Sequence, residues 1–438
     1  MNDLPRDPDH GPDEPQEPGE SGSEPARGGS GPADPMAAMF GAMDAGQLGA
    51  IFQQLGRALS SSETGPVNWE LARDMARQTV SARGDESVSE SDRRAVAAAM
   101  QLAEHWLDAV TVIPAGAKTA RAWSRAEWVE QTMPAWRELV EPVATRVAGS
   151  MDQMVPTEMR QMAGPLLGVI ERIGGAMFGG QVGQAIGELA TEVVGSTDIG
   201  LPLGPAGAAA LLPANVATFG EGLGVPDDQV RLYLALREAT HHRLFAHVPW
   251  LRAHLLGAVE AYSRGIRVDT SRLEEAVGRL DPSDPAAMQE ALSGGMFEIE
   301  QTPEQEAALA RLETMLALVE GWVDEVVSEA AAPHLPSAAA LRETVRRRRA
   351  AGGPAEQTFA TLVGLELRPR RLREAAALWH MYGEERGTDA RDAVWTHPDL
   401  MPTADDLAEP AAYIHRADAD LTIPELGDGE GDAPTGDT

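Results

Sequence analysis

Apolar residues recur with the 3.6-residue period of an α-helix through most of residues 65–395 of this 438-residue chain. Strand patterns are nearly absent, since only Met296–Glu300 and Val110–Ile113 carry the residue types of short extended segments. The sequence therefore predicts a mainly α, multi-helix domain with at most a few short strands.

Polar residues that can accept hydrogen bonds from free backbone N–H groups mark the expected starts of several helices. Residues 302–305 (TPEQ) combine such a residue with proline at the first helical position, and they predict a long helix from Pro303 to about Ala331. The other predicted N-caps are Asn68 for a helix to Arg83, Ser89 or Ser91 for a helix through Trp106, and Ser124 for a helix through Trp136.

Composition divides the chain into four segments. Residues 1–35 are acidic, rich in Pro, Gly and Ser and nearly free of large apolar side chains, so we expect a disordered tail. Residues 36–64 are rich in Met and Gly; they predict a linker and a docking helix, either packed on its own domain or bound to a partner. A helical domain over residues 65–408 and an acidic tail over residues 409–438 complete the predicted organisation.

Charge and residue usage exclude several functions. Acidic residues outnumber basic ones by 68 to 36, and the net charge of −32 repels phosphate backbones, so nucleic acid is not an expected partner. The arginine runs within 346–349 and 368–373 are expected to neutralise carboxylates or to lie at helix ends. Because the chain has no cysteine, any metal ion must be held by His and carboxylate side chains.

Hydropathy and the N-terminal sequence predict a cytoplasmic protein without a membrane span. A spanning helix needs about 18 or more apolar residues, and the most apolar candidate, residues 164–187, is interrupted by charged and polar side chains. The first residues lack the basic and apolar regions of a secretory signal.

Glycines in the segment 174–187 (GGAMFGGQVGQAIG) repeat at a spacing of four residues. This spacing leaves one face of a helix without side chains, so another backbone can approach closely. The segment follows no strand pattern and lacks a Gly-Lys-Ser/Thr ending, which excludes a phosphate-binding loop. It predicts a tightly crossed pair of helices.

The densest cluster of polar side chains lies in residues 231–251 (RLYLALREATHHRLFAHVPWL). Helical spacing places Arg237 and His241 one turn apart within an apolar stripe, where each needs a partner because an unpaired buried charge is costly. The predicted helix at 303–331 places Glu320 on its own apolar face. We therefore expect the two helices to pack together, with Arg237 or His241 in reach of Glu320.

Two interpretations of this contact are open. An Arg–Glu–His cluster can fix the register of two helices. Alternatively, the sequence 237–241 (REATH) resembles H-E-x-x-H, in which two histidines bind zinc and the glutamate activates a water molecule. Because Arg237 stands at the first ligand position, a further zinc ligand would have to come from His242, Glu320 or Asp324.

Five segments together resemble the zincin-like metallopeptidase type 2 family of high-GC bacteria, whose members are labelled hydrolases or zinc-dependent metalloproteases. These segments are REATHHRLFAHVPWLRAHL, VVGSTDIGLPL, ALSGGMFE, LVEGWVDEVV and DAVWTHPDLMPTADDL, and the resemblance runs from about Met36 to Leu407.

The resemblance implies a zincin-like domain with a zinc cofactor. Glu238 would be the general base, and His241 and Glu320 would be metal ligands, with His242 and Asp324 as further candidates. Such a zinc ion would polarise a scissile carbonyl and lower the pKa of its bound water.

Two functions follow from these residues. The first is a zinc-dependent hydrolase, metallopeptidase-like, with a degenerate R-E-x-x-H motif and a peptide or small-molecule substrate. The second is a non-catalytic, zincin-derived binding or structural protein in which Arg237 replaces the charge of the metal. The oligomeric state stays open.

Overall fold

Helices dominate the computed structural model, which describes residues 65–153, 164–265, 302–350, 358 and 371–421. The predicted mainly α class is confirmed. In chain order, the helices of these residues are α1 (Trp69–Ala82), α2 (Glu90–Leu107), α3 (Arg125–Gln153), α4 (Gly164–Ala190), α5 (Pro213–Gly220), α6 (Asp227–His247), α7 (Pro249–Arg264), α8 (Pro303–Ala331), α9 (Ala338–Ala350), α10 (Leu372–Arg386), α11 (Thr388–Ala393), α12 (Ala404–Ala408) and α13 (Pro410–Leu421).

The predicted N-caps lie at the starts of their helices. The Asn68 side chain accepts a hydrogen bond from the backbone N–H of Leu71 at 2.9 Å. Ser89 caps α2, and Thr302 caps α8, each in a reciprocal capping box. Ser124 accepts from the N–H of Glu127 at the start of α3. Since these contacts are local in sequence, capping residues alone locate the helix starts.

Two short strands form a parallel pair, β1 (Thr119–Ala122) with β2 (Ala208–Leu211). The predicted strand at Val110–Ile113 is wrong. Its backbone forms the turn that leaves α2, and the Val112 N–H donates to the carboxylate of Asp392 at 3.0 Å rather than to a neighbouring strand. The other predicted strand, Met296–Glu300, lies outside the described residues, as do the segments 1–35 and 36–64.

The glycine face of α4 packs directly on α1, as the spacing predicts. A methyl group added to Gly183 would lie 2.2 Å from the carbonyl oxygen of Ala72, and one added to Gly179 would lie 2.5 Å from that of Asn68. These distances are shorter than van der Waals contact, so the backbones are as close as glycine permits. Among the described residues no helix, α4 included, has the length and hydropathy to cross a bilayer.

Helix α6 packs against α2, α8 and β2. Every residue from Tyr233 to Leu244 is buried. The burial therefore extends beyond the apolar stripe that contains Arg237 and His241. The buried charged and histidine side chains of α6 have partners on neighbouring elements; Arg243, for example, donates to Glu104 of α2 at 2.6 Å.

The C-terminal helices pack on α8. Gly321 allows close contact with α10, since a methyl group added there would lie 2.6 Å from the β-carbon of Ala375. Helix α13 begins beyond residue 408, where the sequence predicts an acidic tail, and it buries Tyr413 and Ile414. The packed helices therefore continue past the predicted domain boundary.

Candidate functional site

The packing of α6 against α8 brings Arg237 and His241 to Glu320. Arg237 Nη2 donates to Glu320 Oε2 at 2.6 Å, and His241 Nε2 lies 2.9 Å from Glu320 Oε1. All three residues are at most 5% exposed. The predicted contact between the two helices is present, through both Arg237 and His241.

A second arginine reaches the same carboxylate from α9. Arg349 Nη2 lies 2.9 Å from Glu320 Oε1 and also donates to the backbone carbonyl of Asp198. Its side chain is 16% exposed, so it approaches Glu320 from the edge of the cluster. Sequence reasoning assigned the run 346–349 to neutralising carboxylates without connecting it to Glu320; its one signal was four consecutive arginines.

These positive charges determine the ionisation of Glu320. Burial alone would raise the pKa of its carboxyl group, but the charges of Arg349, His241 and Arg237 hold that pKa well below the ordinary range. Burial alone would lower the pKa of Arg237, but the charge of Glu320 raises it above the usual arginine value. The Arg237–Glu320 pair is therefore ionised throughout the physiological pH range.

The imidazole of His241 is oriented by its own helix. Nδ1 lies 2.8 Å from the carbonyl oxygen of Arg237, one turn earlier, and a carbonyl oxygen can only accept a hydrogen bond. Nδ1 therefore carries a proton and donates it, which turns Nε2 towards Glu320.

Glu238 points away from Glu320, into a separate cluster with residues 195–197 and β2. Its carboxylate accepts hydrogen bonds from the backbone N–H groups of Ser196 and Thr197, both at 3.1 Å, and of Ala210 at 3.2 Å. The hydroxyl groups of Ser196 and Thr197 donate to it as well. Five donors thus fix this carboxylate to the neighbouring backbone.

The environment of Glu238 keeps it ionised. Burial would raise the pKa of its carboxyl group, but the hydrogen bond and charge of His242 and the hydrogen bonds from Ser196 and Thr197 lower that pKa to about 2. His242 Nε2 lies 3.3 Å from Glu238 Oε1. His242 therefore belongs to the cluster of Glu238 and not to that of His241.

Ser196, His242 and Glu238 do not form a catalytic triad. His242 Nε2 faces both the hydroxyl oxygen of Ser196, at 3.2 Å, and Glu238. In a triad the histidine joins serine and carboxylate through different nitrogens. Here the Ser196 hydroxyl donates directly to Glu238, and Ser196 is only 1% exposed. These contacts link α6 to residues 195–197 and to β2.

One loop, residues 195–200 (GSTDIG), covers both glutamates. A methyl group added to Gly195 would lie 2.5 Å from Glu238 Oε2, and one added to Gly200 would lie 2.9 Å from Glu320 Oε1. Gly200 also has φ +78°, which disfavours other residues. Sequence reasoning did not assign this loop to the site; its signal was a Gly-Ser-Thr run within the resembling segment VVGSTDIGLPL.

Asp324 is held by arginines of α9 rather than by His241. Arg342 and Arg346 each donate to its Oδ2 at 2.6 Å. The predicted ligands therefore fall into three groups, and among the described residues no set of three or more His, Asp or Glu side chains is arranged to hold a metal ion.

The fold and the site define a mainly helical protein whose central helix carries a buried R-E-x-x-H sequence facing a glutamate. The sequence model of the zincin-like metallopeptidase family matches residues 67–414, and the chain belongs to this family. No curated protein matches the sequence significantly.

A solved structure shares this fold. It is from Chloroflexus aurantiacus and is described as a proposed hydrolase with a novel fold. Its sequence is 21% identical to that of this chain. The match covers 80% of this chain and 99% of the solved chain, with a TM-score of 0.57.

The zinc ion that the family name implies does not fit the side chains as they are arranged. Both carboxylate oxygens of Glu320 contact guanidinium groups, from Arg237 and Arg349. These groups would repel a divalent cation at the point where His241 and Glu320 meet. Glu238, which stands at the position of the glutamate in H-E-x-x-H, faces the other cluster.

Proposed function

We propose that this chain is a non-catalytic member of the zincin-like family, a binding or structural protein. In it, arginine side chains supply the positive charge that zinc supplies at an H-E-x-x-H site. The observation that carries this proposal is the buried contact of 2.6 Å between Arg237 and Glu320, at the first ligand position of the motif.

The state of Glu238 supports the proposal. A general base works best when its pKa lies near the operating pH and its carboxylate can reach the proton that it removes. Glu238 has a pKa of about 2, and five donors from the loop 195–200 and β2 occupy its oxygens. These contacts suit a link between helix and loop better than proton transfer.

A zinc-dependent hydrolase using Glu238, His241 and Glu320 is the second candidate. One observation besides family membership favours it: the carbonyl oxygen of Arg237 fixes Nδ1 of His241 at 2.8 Å, which is a common way of orienting a zinc-binding histidine. This function requires Arg237 and Arg349 to leave Glu320.

Metal analysis of protein purified without a His tag distinguishes the two candidates. After incubation with zinc and gel filtration, we expect the wild type and the His241→Ala variant to carry the same small amount of metal. The His247→Ala variant is the control, since His247 is an exposed histidine on the same helix. Peptide hydrolysis by the wild type should not exceed that by Glu238→Gln.

The opposite result would support the hydrolase. Stoichiometric zinc that is lost in His241→Ala and kept in His247→Ala, together with hydrolysis that is lost in Glu238→Gln, overturns the proposal of a non-catalytic protein.

A further inference from the structure

We infer that Arg349 is the second of two guanidinium groups that together fill a latent metal position, and that a divalent cation binds His241 and Glu320 only when both Arg237 and Arg349 are removed. This inference rests on the proposed function, because it takes the wild-type centre to be neutralised by arginine.

His241 and Glu320 bring an imidazole nitrogen and a carboxylate oxygen next to each other. Nε2 of His241 lies 2.9 Å from Oε1 of Glu320, and its Nδ1 is tied to a backbone carbonyl. Imidazole nitrogen and carboxylate oxygen are both common zinc ligands. A third ligand at position 237, one helical turn before His241, would complete the usual minimum for a catalytic zinc ion.

Each of the two guanidinium groups contacts one oxygen of the Glu320 carboxylate. Arg237 contacts Oε2 at 2.6 Å, and Arg349 contacts Oε1 at 2.9 Å. Together they carry two positive charges, the same charge as a zinc ion. The carboxylate is thus compensated without a metal, and both of its oxygens are occupied.

Arg349 occupies the more important of the two oxygens. It contacts Oε1, the same atom that faces His241 Nε2, whereas Arg237 contacts the other oxygen. Replacing Arg237 by histidine therefore restores the spacing of the motif but leaves a cation on the oxygen that a metal would share with His241. A single substitution is insufficient.

Arg349 also reaches the cluster from a separate helix. It comes from the last turn of α9 and donates to the carbonyl of Asp198, while its neighbour Arg348 lies 3.4 Å from the Asp198 carboxylate. The side chain can be changed without altering α6 or α8, which hold His241 and Glu320. The two arginines can therefore be tested independently.

The test uses the full chain in four forms: wild type, Arg237→His, Arg349→Gln and the double variant. Co²⁺ is titrated and its visible d–d absorption recorded, and Zn²⁺ binding is measured by calorimetry. We expect the double variant to bind one Co²⁺ or Zn²⁺ per chain, at least about tenfold more tightly than each of the other three. Adding His241→Ala to the double variant should abolish the absorption.

Arg347→Gln is the matched control for Arg349→Gln. Arg347 lies two residues before Arg349 in the same arginine run. Its side chain is 77% exposed and pairs with Glu343 instead of Glu320. Combined with Arg237→His, it should leave cation binding as weak as in Arg237→His alone.

Each outcome bears on the inference. Tight binding by Arg237→His alone removes the role of Arg349, and a folded double variant that binds no cation overturns the latent site while leaving the proposed function intact. Stoichiometric binding at His241 in the wild type contradicts both. Should the double variant be unfolded without metal, refolding by Zn²⁺ but not by Mg²⁺, followed by circular dichroism, is the expected result; failure to refold contradicts the inference.

Discussion

The Glu320 carboxylate links three helices. It meets Arg237 and His241 of α6 and Arg349 of α9, while it belongs to α8 itself. The single negative charge of this buried carboxylate is shared by two guanidinium groups. Its contribution to the free energy of unfolding can be measured by removing the carboxylate and keeping the arginines.

Glu320→Gln should lower the free energy of unfolding by about 3–5 kcal/mol, because it leaves buried guanidinium groups without a counter-charge. Urea unfolding at pH 7, followed by circular dichroism, measures the change. The exposed Glu385 provides the control, since Glu385→Gln should change stability by no more than about 0.5 kcal/mol. Equal effects of the two substitutions would contradict the importance of the cluster.

Glu238 makes stability depend on pH in the acidic range. Its pKa in the folded protein is about 2, below the ordinary value of 4.5, so the folded state favours the ionised form. This contribution, about 3 kcal/mol, is complete above the ordinary pKa and is lost as the pH falls towards the folded pKa. The difference in unfolding free energy between wild type and Glu238→Gln should therefore be constant above pH 4.5 and shrink between pH 4.5 and about 2. A difference that does not change with pH would show that Glu238 has an ordinary pKa.

Periodicity was sufficient to predict the contact of Arg237 and His241 with Glu320, because each lies within a regular apolar pattern on its helix. It could not predict the direction of Glu238, since the loop 195–200 and β2 supply its donors from distant parts of the chain. Arg349 was missed because it lies in a run of four arginines, where no apolar pattern distinguishes one residue from its neighbours.

At the scale of elements, the contact between α1 and α4 depends on the absence of side chains. Gly183 and Gly187 of α4 lie against the backbone of α1, and Gly175 and Gly179 lie against the residues just before it, 65–68. Within a helix, alanine is ordinarily more stable than glycine by about 1 kcal/mol. Packing and helix propensity therefore oppose each other at these positions and can be separated.

Gly183→Ala should destabilise the protein by about 1–3 kcal/mol, since its methyl group would lie 2.2 Å from the carbonyl oxygen of Ala72 and the helices must move apart. Gly174→Ala on the same helix has no atom within 4 Å of its methyl group and should be neutral or stabilise by up to about 1 kcal/mol. Thermal unfolding measures both. Shifts of the same sign would show that the close approach does not determine stability.

The secondary structure that the sequence did not predict has identifiable causes. β1 and β2 read TARA and AAAL, so apart from Thr119 they lack the β-branched and aromatic residues that mark strands. Helix α6 is buried on all sides because its polar residues find partners on α2, α8 and the loop 195–200. Hydrophobic periodicity predicts this helix but not the burial of its polar side chains in pairs.

Across the whole molecule, Asp392 joins the C-terminal helices to distant parts of the chain. Its carboxylate accepts from the Thr111 hydroxyl at 2.6 Å, from the Val112 N–H at 3.0 Å and from the Trp322 indole at 2.9 Å. It therefore connects the turn after α2 and the helix α8 to α11, the helix to which Asp392 belongs.

Asp392→Ala should lower the free energy of unfolding by about 2–4 kcal/mol, because several buried donors lose their acceptor. Scanning calorimetry should still show one transition if these helices unfold together with the rest. Asp399→Ala is the control, since the Asp399 side chain is 88% exposed. A separate low-temperature transition in Asp392→Ala would mean that the C-terminal helices unfold independently.

The positive charges that neutralise Glu320 belong to the same polypeptide. Arg237 and Arg349 arrive with the carboxylate that they neutralise, so this centre is complete once α6, α8 and α9 have packed. A metal-dependent centre instead requires an ion from the cell, and other proteins bind the same ions. The proposed function therefore implies that the electrostatic balance at Glu320 is the same in a cell grown with little zinc as in one grown with plenty.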